Sequence, residues 1–323
     1  MPTQVTPEAV AWAYRLLLDR EPENQDVVDD WVTKLTSLQE LVQEFIRSDE
    51  FKAKYRLLRS PAMSGAEPKM RIETVLSEPD LQILFQHIQD TWQHLGETEP
   101  HFSVLTSELF EQSKIQETKA IFYESGQYEV DRLFKALDRN GINYSLFKSC
   151  LEYGCGVGRV TRWLSERFAR VYGYDISRSH LQLAESYLAE EKIRNVTLHH
   201  IRKVQDIETL PKVDLVYSLI VLQHNPPPII NLIIREFIKI LNPGGVAYFQ
   251  VPTYRLDYAF SLKDYLSHEA QARQMEMHVL PQKQIFEIVK QEGGKVIEVI
   301  EDNLTGEVPY KEMSNTFIIQ KAG

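Results

Sequence analysis

"LEYGCGVGRV", Leu151 to Val160, decides the reading of this 323-residue chain. An apolar entry and an acid precede three glycines at every second position, Gly154, Gly156 and Gly158. Glycines there remove the Cβ atoms that would hold a ligand off the main chain. A glycine-rich turn of this kind, between a strand and a helix, can cradle a dinucleotide, a triphosphate or a sulfonium cofactor. Dinucleotide folds place the third glycine five positions after the first; here it comes at four. A triphosphate loop continues into Lys-Ser or Lys-Thr, and this turn does not. Asp175, 21 residues after Gly154, ends the next apolar run. A carboxylate there can accept both hydroxyls of a ribose.

Outward from that turn the pattern is regular. "SCLEYG", "RVYGYD", "NVTLHH", "VDLVYSLIVL" and "GGVAYFQVP" alternate with helical stretches from Ser145 onward. Such alternation predicts an α/β fold, a doubly wound and mostly parallel sheet with helices on both faces. The last two strands, "KVIEVIED" and "NTFIIQK", have no helix between them. They are expected to pair antiparallel, because a parallel crossover needs about a dozen residues or more. Ligands of such a sheet bind beyond the carboxyl ends of its strands, where strand order reverses.

Glu152-x-Gly154-x-Gly156-x-Gly158, Asp175, "DLVYSLIVLQH", the "LNPGG" turn and the closing pair together resemble the class I S-adenosylmethionine-dependent methyltransferases. The resemblance runs from about Tyr144 to Lys321. It implies a Rossmann-like seven-stranded sheet with an antiparallel last strand and S-adenosyl-L-methionine as cofactor. Gly154, Cys155 and Gly156 would approach its methionine end, and Asp175 its ribose. Glu152, Gly158, Ile176 and Ser218 complete the expected cofactor set. The family's frequent G-D-A loop after the third strand is replaced by "RKVQD", so backbone groups of Val204 and Gln205 are expected there, with Asp206 beside them. In the helices before the sheet, Tyr123 is expected against the sulfonium through cation–π attraction, and Phe122 in the core.

Methyl transfer is in-line displacement, so much of its catalysis comes from holding the partners in line. A hydroxyl acceptor also needs a base, most often His. "SLIVLQHNPPPII" ends the fourth strand with Gln223 and His224 before a proline-led helix start. His224 is the first candidate for base or acceptor contact; the competing reading has His224 and Asn225 merely capping that helix. His278 in "MHVLP" is the second candidate. The insertion at about 253–280 supplies Tyr254 and Tyr258 as substrate-facing residues and reads as a lid or acceptor loop.

Four segments follow: a helical module at 1–58, a linker at 59–70 in "RSPAMSGAEPKM", a helical cap at 71–143 broken near Gly96–His101 and at Gly126, and the catalytic domain at 144–323. Trp12 and Trp31 are expected in the core of the first module. Arg20, Trp31, Ser48, Glu50 and Phe51 resemble a short bacterial helical module also similar to parts of phycobilisome linkers. That resemblance implies an interaction or tethering role with a protein partner.

The net charge of -10 disfavours nucleic acid, which draws on clustered Lys and Arg; the short basic run 52–59 has acidic neighbours. No apolar run reaches the ~20 residues of a membrane span. "MPTQVTPEAV" lacks the basic start and apolar centre of a signal peptide, and Cys150 and Cys155 are too few for a disulfide framework. A cytoplasmic protein without a metal site is expected. The favoured function is O-methylation of a carbohydrate or glycan hydroxyl. Its alternatives are N-methylation of a small amine and an idle methyltransferase-fold scaffold.

Overall fold

The structure is a computed structural model that describes residues 5–48, 50–51, 65–267, 275–302, 304 and 312–323. The first half of the expected linker (59–64), the 52–59 basic run and positions 268–274 of the expected insertion lie outside the described residues. The chain divides into two compact units, 1–61 and 62–323. Among the described residues no helix is long and apolar enough to cross a membrane.

The first unit holds α1 (Pro7–Ala13), extended by a π-helical turn at Tyr14–Leu18, then α2 (Gln25–Lys34) and α3 (Leu38–Arg47). Asn24 and Ser37 cap the second and third through their side-chain oxygens, the local signal that starts each helix. Val10, Tyr14, Val28, Leu41 and Phe45 form the core. Arg20 grips Glu50 with two parallel hydrogen bonds of 2.6 and 2.8 Å and lies over the Tyr14 ring. Trp31 packs on Phe45. Trp12, expected in that core, is instead 55% exposed. Two positions after Val10, it falls on the opposite side of the helix.

The second unit is built on a seven-stranded sheet. Its strands are β1 (Ser149–Tyr153), β2 (Arg170–Asp175), β3 (Val196–His200), β4 (Val213–Ser218), β5 (Leu241–Arg255), β6 (Gly294–Glu301) and β7 (Glu312–Lys321). They lie in the order β3-β2-β1-β4-β5-β7-β6. The first five are parallel, and β7 runs antiparallel to both β5 and β6. Strand order reverses between β1 and β4, directly behind the glycine turn.

Helices in this unit are α4 (Glu78–Thr98), α5 (Pro100–Val104), α6 (Ile115–Arg139), α7 (Thr161–Leu164), α8 (Arg178–Glu190), α9 (Pro227–Ile240), α10 (Leu262–Ser267) and α11 (Gln282–Gln291). Successive strand residues face opposite ways, and the core splits accordingly. Leu151, Val216 and Phe249 pack with Ile229, Ile233 and Phe237 of α9. Cys150, Leu215 and Tyr217 pack with Val130, Leu133 and Leu137 of α6. Each such side chain, fully buried, contributes about 1.5–3 kcal/mol.

The expected break at Gly126 does not occur, because α6 runs through it. A Cβ there would stand 2.1 Å from the Arg159 carbonyl oxygen. The glycine is therefore a point of close helix-to-turn packing.

Candidate functional site

A cleft with about 860 Å3 of empty space, counted to its open mouth, lies beyond the carboxyl ends of β1, β2 and β4. Gly154 and Gly156 form its floor, at φ of +75° and +53°, a left-handed region that residues with a Cβ rarely enter. A Cβ on Gly154 would lie 2.3 Å from Val221, and one on Gly156 would lie 2.8 Å from Val104. The missing Cβ atoms are therefore what lets those valines close against the turn.

Asp175 closes β2 with its carboxylate fixed from two sides. Its Oδ2 accepts from Gly156 N–H and its Oδ1 from Ser177 N–H, both at 2.8 Å. Each oxygen keeps a lone pair for a ligand hydroxyl. Ile176 and Ile201 stand beside it as apolar lining.

At the other end of the cleft, Glu152 and Arg159 are buried together. Burial pushes the Glu152 carboxyl up to about 8, against the 2.5 Å hydrogen bond from Thr161 Oγ1 and the nearby charge of Arg159. Arg159 donates through Nη1 to Ser125 Oγ at 3.0 Å, and its Nε has no partner. The Tyr217 hydroxyl is likewise buried in the cleft lining without one. A buried cation with an open donor suits a ligand carboxylate, and the Glu152 carboxyl, raised by burial, would be drawn to its charged form by a ligand ammonium, so together they suit a zwitterion.

Glu152 carries a pH signature. Its folded pKa lies above its unfolded value, so its contribution is fully present below about pH 4.5 and is lost as pH rises toward 8. Urea unfolding at pH 5 and pH 8 is expected to show wild type losing a few kcal/mol more than Glu152→Gln across that interval. Parallel losses would show that Glu152 does not titrate differently on folding.

The structure gathers Glu152, Gly154, Cys155, Gly156, Asp175 and Ile176 around this cleft. Other residues expected at the site are placed elsewhere. Tyr123 is 5% exposed and stacks on Tyr187 at 3.5 Å, in a cluster with Phe122 and Val157, and does not line the cleft. Gly158 faces Ala184. Val204 N–H donates to Gln82, and the Gln205 side chain to Glu78, while Asp206 accepts from Arg202 and Lys203. Ser218 Oγ donates to the Tyr153 carbonyl. Gln223 joins a buried network with Gln250 and Ser314, and Tyr254 donates to the Pro68 carbonyl.

His224 is buried between neighbours on both ring nitrogens. Nδ1 lies 2.8 Å from the Glu276 carbonyl, which can only accept, so Nδ1 carries the proton. Nε2 then accepts from the Gln223 side-chain amide. Burial pushes its pKa down to about 4. His278 and Tyr258 line a different cavity, with the Tyr258 hydroxyl 2.8 Å from His278 Nδ1.

Sequence reasoning missed several lining residues: Trp92, Val104, Arg159, His180, Tyr217 and Ile220. The Arg directly after the third glycine was the one visible signal. Ile220 holds φ of +59°, rare for a β-branched residue, and its N–H donates to Gln250 Oε1. No sequence rule announces that.

Residues 150–245 match the methyltransferase-domain family. Curated relatives include a ubiquinone biosynthesis O-methyltransferase of Pseudomonas fluorescens, 31% identical over 103 residues, which are 32% of this chain and 43% of the relative. One from Coxiella burnetii is 31% identical over 106 residues, 32% of this chain and 42% of its own. The chain thus spans less than half the length of the curated relatives it matches. Among solved structures, magnesium protoporphyrin IX methyltransferase from Synechocystis PCC 6803 with bound SAM aligns over 77% of this chain and 100% of its own. Its identity is 17% and its TM-score 0.47.

Proposed function

We infer from a methyltransferase domain at residues 150–245 that this chain is an S-adenosylmethionine-dependent methyltransferase. We further propose a hydroxyl as the atom methylated and a carbohydrate or glycan end as the acceptor class. The observation that carries the cofactor reading is the cleft at the β1/β4 reversal, where glycine backbone, a fixed carboxylate and a zwitterion niche meet. Gly154 and Gly156 would admit the cofactor to the main chain, Asp175 would hold its ribose, and Ile176 and Ile201 would flank its base. Arg159 would take the carboxylate of the amino-acid end, and Glu152 the ammonium. When bound, the cofactor supplies an electrophilic methyl group on a sulfonium. The chain's own residues then hold the donor, exclude water and orient the acceptor.

A hydroxyl is favoured over an amine on two grounds. The curated relatives are named as O-methyltransferases, and the chain places His278 on a cavity wall beside a carboxylate, Glu276, at 2.8 Å. That pairing suits proton removal, which an amine needs less. Both histidines have both ring nitrogens engaged, His224 by Glu276 and Gln223 and His278 by Tyr258 and Glu276; of the two, His278 lines a cavity. The first unit is read as a tethering module with no catalytic part.

Calorimetric titration with S-adenosylmethionine is expected to give micromolar binding, with NADH silent. Incubation with labelled S-adenosylmethionine is then expected to transfer label to sugars before amines or phenols. NADH binding in place of S-adenosylmethionine would overturn the cofactor reading. Label appearing on amines alone would overturn the hydroxyl.

A further inference from the structure

A second, open cavity, with about 1640 Å3 of empty space counted out into solvent, is lined by α4, by the segment from Tyr258 to Leu266 and by residues 275–278. It borders the same turn as the cofactor cleft. His278 N–H donates to the Gln223 carbonyl at 2.7 Å, and the Glu276 carbonyl accepts from His224 Nδ1. Val221 and Asn225 of that turn line the cleft. The His224 ring also stands 5.1 Å from Trp92, another cleft residue. One turn, 221–225, therefore separates the two spaces.

The chemistry of the second cavity is specific. Tyr258, Phe260 and Tyr265 give it aromatic walls. Between them the Glu276 carboxylate is held by the Tyr265 hydroxyl at 2.9 Å and by His278 Nε2 at 2.8 Å, with His87 Nε2 at 3.3 Å from its other oxygen. Asp90 and Asp264 add two more carboxylates, and no Lys or Arg occurs among the described lining residues. Aromatic faces with apolar bodies and polar tips bind amphipathic rings well. Ring hydroxyls can donate to carboxylates as charge-assisted hydrogen bonds. A phosphate, at about -1.5 to -2 charge, would face carboxylates of its own sign.

We propose that this second cavity holds the sugar ring of the acceptor, and that its carboxylates select an uncharged ring over a phosphorylated one. Calling that ring the acceptor rests on the methyl-transfer reading; the binding site itself does not. Asp90 and Asp264 set the charge preference, while Tyr258, whose proton goes to His278 Nδ1, accepts from a ring hydroxyl through its oxygen and His87 offers its Nδ1.

The test is saturation-transfer NMR on the full chain with excess S-adenosylhomocysteine, using the methyl α-glycosides of glucose, mannose and rhamnose, and glucose 6-phosphate as the charged probe. At least one neutral glycoside is expected to bind, and glucose 6-phosphate about tenfold or more weakly. Tyr258→Phe and His87→Ala are each expected to cost about tenfold in glycoside affinity, the worth of one hydrogen bond in such a site. Asp90→Lys, on an exposed position, is expected to raise glucose 6-phosphate affinity relative to that of the neutral glycoside. S-adenosylhomocysteine binding is expected to be untouched by all three. Absence of glycoside binding, equal binding of glucose 6-phosphate, or indifference to the substitutions would overturn the proposal. S-adenosylhomocysteine failing to bind would instead sink the methyltransferase reading, and the glycoside titration in the same samples would still decide the cavity.

Discussion

Asp175→Ala is expected to weaken S-adenosylhomocysteine binding by about a hundred- to ten-thousandfold while the protein stays folded. Two charge-assisted hydrogen bonds to a ribose are worth about 1.5–3 kcal/mol each, and 1.4 kcal/mol is a factor of ten. The substitution does more than remove ligand contacts. It also leaves Gly156 N–H and Ser177 N–H without their acceptor, so the turn loses the anchor that fixes its backbone. Asp175→Asn is expected to fall near Ala for the same reason. Whichever way its amide is turned, its NH2 group confronts one of those two N–H donors. Calorimetry against S-adenosylhomocysteine, with circular dichroism to verify folding, reads both variants. Affinity within threefold of wild type for Ala would show that no ribose sits at this carboxylate.

The framework was legible because it depends on local, repeating signals. Alternating apolar runs gave the parallel strands, and the missing helix before the last strand gave the antiparallel pair. The glycine turn and Asp175 were readable since strand ends and positive-φ turns demand particular residue types. The sheet order then places both at one cleft. Residues contributed by other elements were not readable. Val104 and Trp92 come from helices whose spacing shows that one face is buried, but not which cavity that face meets. Tyr123 illustrates the same limit. It was expected against the sulfonium, and only the fold reveals that its ring stacks on Tyr187 instead. His224 was expected at the end of the fourth strand; β4 ends at Ser218 and His224 lies in the following turn, and its role depends on Glu276, 52 residues later.

Gly126→Ala tests a second feature that its sequence context disguised. A glycine inside a helical pattern lowers helix propensity by about 1 kcal/mol relative to Ala, so the pattern alone favours the substitution. The structure reverses that sign. The added Cβ would meet the Arg159 carbonyl oxygen at 2.1 Å, its carbon at 2.8 Å and Trp163 at 2.9 Å. The first two are backbone atoms of the turn that carries the glycines, and they cannot rotate away as a side-chain end does. Overpacking of this kind costs about 1–3 kcal/mol and occasionally more. With about 2–4 °C per kcal/mol for a unit of this size, a drop in Tm of roughly 5–10 °C is expected. Cofactor affinity should fall with it, because relief of the clash displaces Arg159 and the turn together. Gly141→Ala is the control. Gly141 holds a positive φ, +64°, unlike the helical Gly126, and an added Cβ there meets nothing within 4 Å. Its cost is the left-handed backbone alone, about 1–2 kcal/mol, with cofactor affinity unchanged. If Gly126→Ala proved as mild as Gly141→Ala and left cofactor binding intact, then α6 and the glycine turn are not packed through that glycine. The helix would then not help to set the cleft floor.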